Sequence, residues 1–274
     1  MPEGPEIHRE ADQIRQAIAQ KQCIYSFFYH DHLKPFESAV TGQIVQAVDA
    51  YGKGLVITFN EDLYFYSHNQ LYGKWYIRPA GSYPNTNRQL RAEIQTESNS
   101  ALLYSASEID ILDRNSLETH PYLTNLGPDV LKSDDIDEIK KQISDPAFER
   151  RSLAALLLDQ SFLSGIGNYL RSEILFMAGI SPGKKLKDLD NREKNNLSES
   201  ILTITHRAYI SGGVTVEDSI VQNCKSNGES RSQYRFYVFA REGKACRICG
   251  SNIEKQKMSG RRIYICPKCQ LDTF

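Results

Sequence analysis

The chain has no long apolar run. Stretches such as Ala154-Ala155-Leu156-Leu157-Leu158 stop far short of the roughly 20 residues a helix needs to cross a bilayer, which excludes a helical membrane span. Net charge is nearly absent, −1 over 274 residues, so no global field points to a polyanionic partner. A secretory leader pattern is missing and cysteine is scarce, six residues in all; the expectation is a cytoplasmic protein whose thiols stay reduced, not a disulfide scaffold. No internal repeat is visible. What is present is a 40% hydrophobic content, normal for a soluble globular protein, on a chain longer than one core usually sustains, so more than one domain is expected.

Four of the six cysteines are concentrated at one end. Cys246-x2-Cys249 and Cys266-x2-Cys269 lie sixteen residues apart, within the spacing of two metal-holding turns. Four thiolates fill a tetrahedral Zn2+ shell and leave no position for water or substrate, so one structural zinc is expected, with two disulfides as the alternative. Cys23 and Cys224 have no partner motif and read as ordinary thiols. Charge is also unevenly placed: residues 231–274 hold ten Lys or Arg against three acids, and residues 107–150 hold eleven acids against five bases. The basic ribbon points to a local nucleic-acid contact and the acidic stretch to a solvated face turned away from it.

Residues 5–20 place Ile7, Ala11, Ile14, Ala17 and Ile18 at helical spacing, with Pro5 suited to the first turn. Short β-branched and aromatic runs follow at 44–48, 55–59, 63–66, 75–77, 90–95 and 101–104, separated by turn residues as in an antiparallel sandwich or barrel. Residues 119–129, with two prolines, read as a linker. Helices are expected at 136–144, 150–162, 169–177 and 189–211, then a mobile polar loop at 212–233. Leu163-Ser164-Gly165-Ile166-Gly167-Asn168-Tyr169 makes a glycine-rich turn between two helices, with Asn168 at the N-cap. The free amides beside it would form an anion pocket suited to a DNA phosphate, though a plain helix hairpin has the same pattern.

The front of the chain, Met1-Pro2-Glu3-Gly4-Pro5-Glu6, carries latent chemistry. Removal of Met1 would leave Pro2 as a terminal secondary amine, titrating near ~8 and able to attack an aldehyde-like or acetal carbon as lysine does in Schiff bases. Glu3 would sit beside it to move protons. The bland alternative is a disordered start before a helix. Glu6, in the first helical turn near that amine, and Asp129, after Gly127-Pro128, are weaker candidates, with a helix-dipole role and a turn or helix cap as their plain alternatives.

Taken together, Pro2-Glu3-Gly4-Pro5-Glu6, Gly52-Lys53-Gly54, Leu158-Asp159-Gln160 through Gly165-Ile166-Gly167-Asn168-Tyr169, and the four-cysteine ribbon resemble the formamidopyrimidine-DNA glycosylase and endonuclease VIII family of base-excision repair enzymes. The resemblance covers nearly the whole chain, in order. Ser67-His68-Asn69-Gln70-Leu71-Tyr72-Gly73 and Gly4 look more like the endonuclease VIII branch.

The resemblance implies an α+β, two-domain fold: an N-terminal β-sandwich flanked by helices (residues 1–125), a helix-two-turn-helix domain (126–230) and a zinc ribbon (231–274). It further implies a monomeric, bifunctional DNA glycosylase and AP lyase acting on damaged double-stranded DNA, without membrane association. Oxidised pyrimidines would be removed through a Pro2 Schiff base and the strand cut by β,δ-elimination. Glu3 would shuttle protons, Lys53 would protonate the sugar or pair with phosphate, and Arg261 would clamp phosphate and assist the second elimination. Gln70, Leu71 and Tyr72 offer a polar, an aliphatic and an aromatic side chain to fill the void left by an everted nucleotide. Asn168 would contact phosphate, and Asn125 stands, uncharged, where a basic DNA contact is expected. Two other readings stay open: the same chemistry on purine lesions, and a zinc-ribbon DNA-binding protein with no enzymatic activity.

Overall fold

The computed structural model describes residues 2–60, 62–132 and 136–270. Met1, whose removal the proline chemistry requires, lies outside them. The chain divides into two compact units: Pro2 and Glu6–Asn125 in one, and Glu3–Pro5 with the residues from Leu126 onward in the other. The fold class is α+β.

The first unit contains most of α1 (Gly4–Ile18), then β1 (Tyr25–Phe28), a short α2 (Glu37–Val40), β2 (Ala47–Tyr51), β3 (Gly54–Asn60), β4 (Leu63–His68), β5 (Lys74–Pro79), β6 (Leu90–Gln95), β7 (Asn99–Tyr104), β8 (Glu108–Leu112) and α3 (Arg114–Glu118). The strands form two four-stranded antiparallel sheets, ordered β2-β3-β4-β8 and β1-β6-β7-β5. Alternation decides which side chains go inside. Val48, Leu55, Ile57 and Phe65 of the first sheet share one core with Phe28, Ile94, Ala101 and Leu103 of the second. Ile7, Ala11, Ile14, Ala17 and Ile18 complete that core from α1, the stripe that periodicity assigned to it.

The second unit contains α4 (Ile136–Ile143), α5 (Leu153–Leu156), α6 (Asn168–Ala178), α7 (Asn191–Ser211), α8 (Asp218–Ser226), α9 (Arg231–Tyr234) and the hairpin β9 (Glu254–Met258) and β10 (Arg261–Ile265). Every residue from Tyr169 to Phe176 is buried, so α6 is the central helix of this unit. Two of those residues are charged. Glu173, fully buried, accepts from the backbone N–H groups of Tyr237, Val238 and Phe239, each at 2.8 Å, and from the Thr215 hydroxyl. Burial pushes its pKa up while those donors oppose the rise.

Several expectations are corrected. The 150–162 helix shrinks to Leu153–Leu156, because the Asp159 carboxylate takes the Ser161 N–H (2.8 Å) and hydroxyl (2.7 Å), a local turn that competes with helix. The mobile loop at 212–233 is largely helical, with Val221 and Cys224 of α8 and Tyr234 of α9 buried and only their polar neighbours in solvent. The strand placed at 44–48 runs Ala47–Tyr51, with Ile44 exposed in an isolated bridge to Gln22. β1 and β8, too short and mixed to read, were not expected. The long helix begins at Asn191, not 189, because Asp190 and Glu193 form a reciprocal capping box. The acidic 107–150 stretch is no single face, since its two halves belong to different units.

Glu173→Gln would turn an –NH2 toward two N–H or O–H donors whichever way the amide lies. It is expected to destabilise the protein by about 1–3 kcal/mol, read as a lowered urea midpoint.

Candidate active site and metal centre

The glycine-rich turn before α6 is built around an anion from the chain's own front. Glu3, 2% exposed, accepts from the backbone N–H of Gly167 (2.8 Å) and Tyr169 (2.8 Å) and, at 3.2 Å, of Leu170. These are donors that a helix N-terminus leaves without internal partners, and the end of the macrodipole favours negative charge there. The next residue continues the lock: Gly4 N–H donates to the Gly165 carbonyl at 2.8 Å. A Cβ at Gly167 would lie 2.3 Å from the Glu3 Cδ, so only glycine admits the carboxylate. Two expectations change here. Gly167, not Asn168, is the N-cap, and the amides assigned to a DNA phosphate are already occupied by Glu3.

Asn168 instead starts the helix, half-buried, its Oδ1 accepting from Arg171 Nη2 at 2.7 Å. Arg171 is fully buried and also donates to the carbonyls of Ala154 (2.6 Å) and Arg262 (3.1 Å). Burial, reinforced by the positive charge of Arg261 and opposed by Glu3, brings its pKa down to about 10. It remains a cation at neutral pH. Arg171 thus ties the start of α6 to the hairpin carrying Arg261. That hairpin closes through Ser259 (φ 52) and Gly260 (φ 74), the all-positive pattern of a type I′ turn, and leaves Arg261 exposed as the first residue of β10.

In the first unit, Lys53 occupies the two-residue turn between β2 and β3, with positive φ at Gly52 alone, as in a type II′ turn. It is not a solvated turn lysine: only 8% exposed, it donates its backbone N–H to the Tyr122 hydroxyl at 2.8 Å. His68 pairs with Gly54 across the ladder; its pKa is lowered first by burial and also by the charge of Lys53, against Glu108. The β4–β5 connection, residues 69–73, has Gln70 in a left-handed conformation (φ 50), its side chain donating to Glu108. Leu71 and Tyr72 stand 61% and 69% exposed at its tip. Asn125, exposed, donates its side-chain N–H to the Pro121 carbonyl at 2.8 Å. Pro2 is half-buried.

The four ribbon cysteines converge. Their sulfurs all lie within 4.8 Å of one another, with Cys249–Cys266 at 3.4 Å and Cys246–Cys269 at 3.9 Å. A tetrahedral thiolate site with metal–sulfur bonds of ~2.3 Å needs sulfurs ~3.8 Å apart, and disulfide partners would touch at ~2.0 Å. The Cys246 sulfur accepts the Ile248 N–H and the Cys266 sulfur the Cys269 N–H, each at 3.4 Å, contacts that suit ligating thiolates. These residues could hold one metal ion, with no open coordination position.

Comparison with known proteins matches two family models, the formamidopyrimidine-DNA glycosylase N-terminal domain over residues 1–107 and the formamidopyrimidine-DNA glycosylase H2TH domain over residues 126–219. Relatives named Endonuclease 8 from Salmonella arizonae and Salmonella schwarzengrund are each 44% identical over 271 residues, 98% of this chain and 100% of theirs. The chain belongs to the formamidopyrimidine-DNA glycosylase and endonuclease VIII family. The family's members are DNA glycosylases and AP lyases of base-excision repair. Its fold is seen in the Lactococcus lactis Fpg protein complexed with DNA containing an abasic site (TM-score 0.80, 20% identity, 98% of this chain and 100% of that one). A MutM complex with carbocyclic 8-oxo-G DNA superposes equally well (TM-score 0.80, 20% identity, 99% and 100%).

Sequence reading missed Arg171 and Glu173, which brace α6, and Tyr122, which meets the Lys53 backbone. Arg171 and Glu173 could have been suspected as charges in the middle of an apolar stripe; Tyr122, in the linker, gave no signal. Gly167→Ala is expected to push Glu3 off its amides, destabilising the fold by about 1–3 kcal/mol and slowing strand cleavage at abasic sites. Thermal melts and a gel-based nicking assay check both effects.

Proposed function

We propose that this chain removes oxidised pyrimidines from double-stranded DNA as a monomer and then excises the sugar, using Pro2 as nucleophile. The observation that carries the reading is the Glu3 carboxylate, next in sequence to the proline and fixed by three backbone amides at the start of α6. Once Met1 is removed, the Pro2 nitrogen attacks C1′ of the everted nucleotide; the new C–N bond forms as the bond to the base breaks. The helix terminus favours the charged form of Glu3, so Glu3 serves first as acceptor of the proline proton and passes it to the opening sugar oxygen. The iminium acidifies C2′–H. Loss of that proton expels the 3′ phosphate, a second proton loss expels the 5′ phosphate, and water releases Pro2.

Lys53, presented by a tight turn and largely desolvated, supplies a cation to the sugar or its phosphate. Arg261, exposed on its hairpin, grips phosphate through its planar guanidinium. Asn168, oriented by Arg171, adds a side-chain contact to phosphate, and Asn125 a neutral one. Gln70, Leu71 and Tyr72 enter the vacated space, consistent with the exposure of the latter two. Cys246, Cys249, Cys266 and Cys269 would hold a zinc ion, which would supply ribbon stability and take no part in the chemistry. Functionally the chain reads as a catalytic sandwich (1–125), a helical DNA-gripping domain (126–230) and a zinc ribbon (231–274), acting in the bacterial cytoplasm.

Borohydride added during reaction with an abasic duplex should link protein covalently to DNA, with the adduct mapping to Pro2 by mass spectrometry; an adduct on a lysine sinks the mechanism, and its absence favours a simple DNA binder. In the same preparation thymine glycol should be excised faster than 8-oxoguanine, and the reverse order would assign the chain to purine lesions. Cys249→Ser should release the zinc and weaken DNA binding, since ribbon folding and metal ligation are one equilibrium; metal analysis and a titration with labelled duplex measure both.

A further inference from the structure

The exposed tip of the 69–73 loop has little packing of its own, so its direction is set at its base. Asn69 lies at that base, 3% exposed. Its carbonyl accepts the Gly73 N–H at 2.7 Å, closing the loop, and a Cβ at Gly73 would fall 2.6 Å from the Asn69 Cα and carbonyl oxygen, so the two ends of the loop are in direct contact. The Asn69 side chain turns inward and donates from Nδ2 to Glu10 Oε2 at 2.6 Å. Through Asn69, one carboxylate therefore holds the closed base of the loop. It stands on α1, whose Ile7, Ala11 and Ile14 are locked in the sandwich core, so the anchor point itself is rigid.

We infer that Glu10 is a positioning residue: through Asn69 it fixes the projection of Leu71 and Tyr72, the wedge that replaces an everted nucleotide. The inference rests on the proposed void-filling role of that loop. A wedge must arrive pre-oriented, because a misplacement of about 1 Å at a reacting assembly can cost two orders of magnitude in rate. Arg88, donating to the Tyr72 carbonyl, restrains the tip from outside. The Glu10 carboxyl titrates at about 7, raised by burial and by Glu6 on its own helix, and opposed by the Asn69 hydrogen bond, by Lys74 on β5 and by the Trp75 amide. A hydrogen bond to an ionised carboxylate is stronger than one to a neutral acid. The anchor accordingly tightens as the pH rises through neutrality.

The test compares two reactions of the intact protein: base release from a paired thymine-glycol duplex, which needs the wedge to displace a stacked base, and borohydride trapping on an abasic duplex, where there is no base to displace. Glu10→Ala is expected to slow base release about tenfold while trapping changes by no more than about twofold. Fluorescence of 2-aminopurine placed opposite the lesion should lose most of the rise that accompanies wedge insertion. Glu10→Gln keeps a neutral acceptor for Asn69 and should recover part of the rate, to the level the wild type shows at about pH 6. Equal losses in both reactions, or wild-type base release in Glu10→Ala, would overturn the inference.

Should Glu10→Ala fail to fold, Glu10→Gln decides. The ratio of base release to trapping should fall in the wild type as pH drops from about 8 to about 6, across the Glu10 titration, and stay flat in the variant; a flat wild-type ratio rejects the anchor. Leu71→Ala separates the two levels of the proposal. If it leaves base release at the wild-type rate, the void-filling reading itself fails; if it slows base release and Glu10→Ala does not, only the role of Glu10 fails.

Discussion

The arrangement depends on one interaction, the Glu3 carboxylate set on the open N-terminus of α6, 164 to 167 residues further along the chain. A helix terminus offers unsatisfied N–H donors and a partial positive charge; a carboxylate offers acceptors and the complementary sign. In a fully buried setting neither could be left alone without a cost of several kcal/mol. Each therefore requires the other, and the front of the polypeptide is held in place. This requirement explains the glycines of the turn better than a phosphate cradle does: Gly167 leaves the space the carboxylate occupies. The proposed terminal nucleophile would be useful only if the terminus is fixed, and the residue after Pro2 would supply that fixation.

The other side chains proposed to act on DNA share a second strategy, presentation from tight turns. Lys53 sits in a two-residue hairpin turn, Arg261 directly after another, and Leu71 and Tyr72 on a five-residue connection with a left-handed residue at its start. Such turns have few soft dihedrals, so a long side chain is delivered with little backbone freedom to lose on binding. Beneath them lie polar supports: Tyr122 under Lys53, the buried Arg171 behind Asn168 and the Arg261 hairpin, Glu10 under the 69–73 loop.

Buried charge is also what orders the second unit. Glu173 gathers four donors from segments 42 to 66 residues away and Arg171 gathers three acceptors, so the central helix is fixed by directional bonds as well as by packing. Removing one partner of such a set leaves the rest unsatisfied in low dielectric, which makes the arrangement specific.

By itself the sequence determined whatever is local or periodic. The α1 stripe, six of the eight sandwich strands to within a few residues, the central apolar helix and the paired Cys-x2-Cys turns all follow from repeat lengths of 3.6 and 2 and from ligand spacing. The family resemblance rested on such contiguous motifs. Tertiary structure decided what depends on a distant partner. That the α6 amides are filled by Glu3, that Lys53 is buried, that Leu71 and Tyr72 project while Asn69 turns inward, and that residues 218–226 form a helix because Val221 and Cys224 find a core are outcomes of contacts between segments tens to more than a hundred residues apart. A hydrogen-bond donor in a sequence carries no mark of its acceptor, so those pairings exist only once the chain has folded.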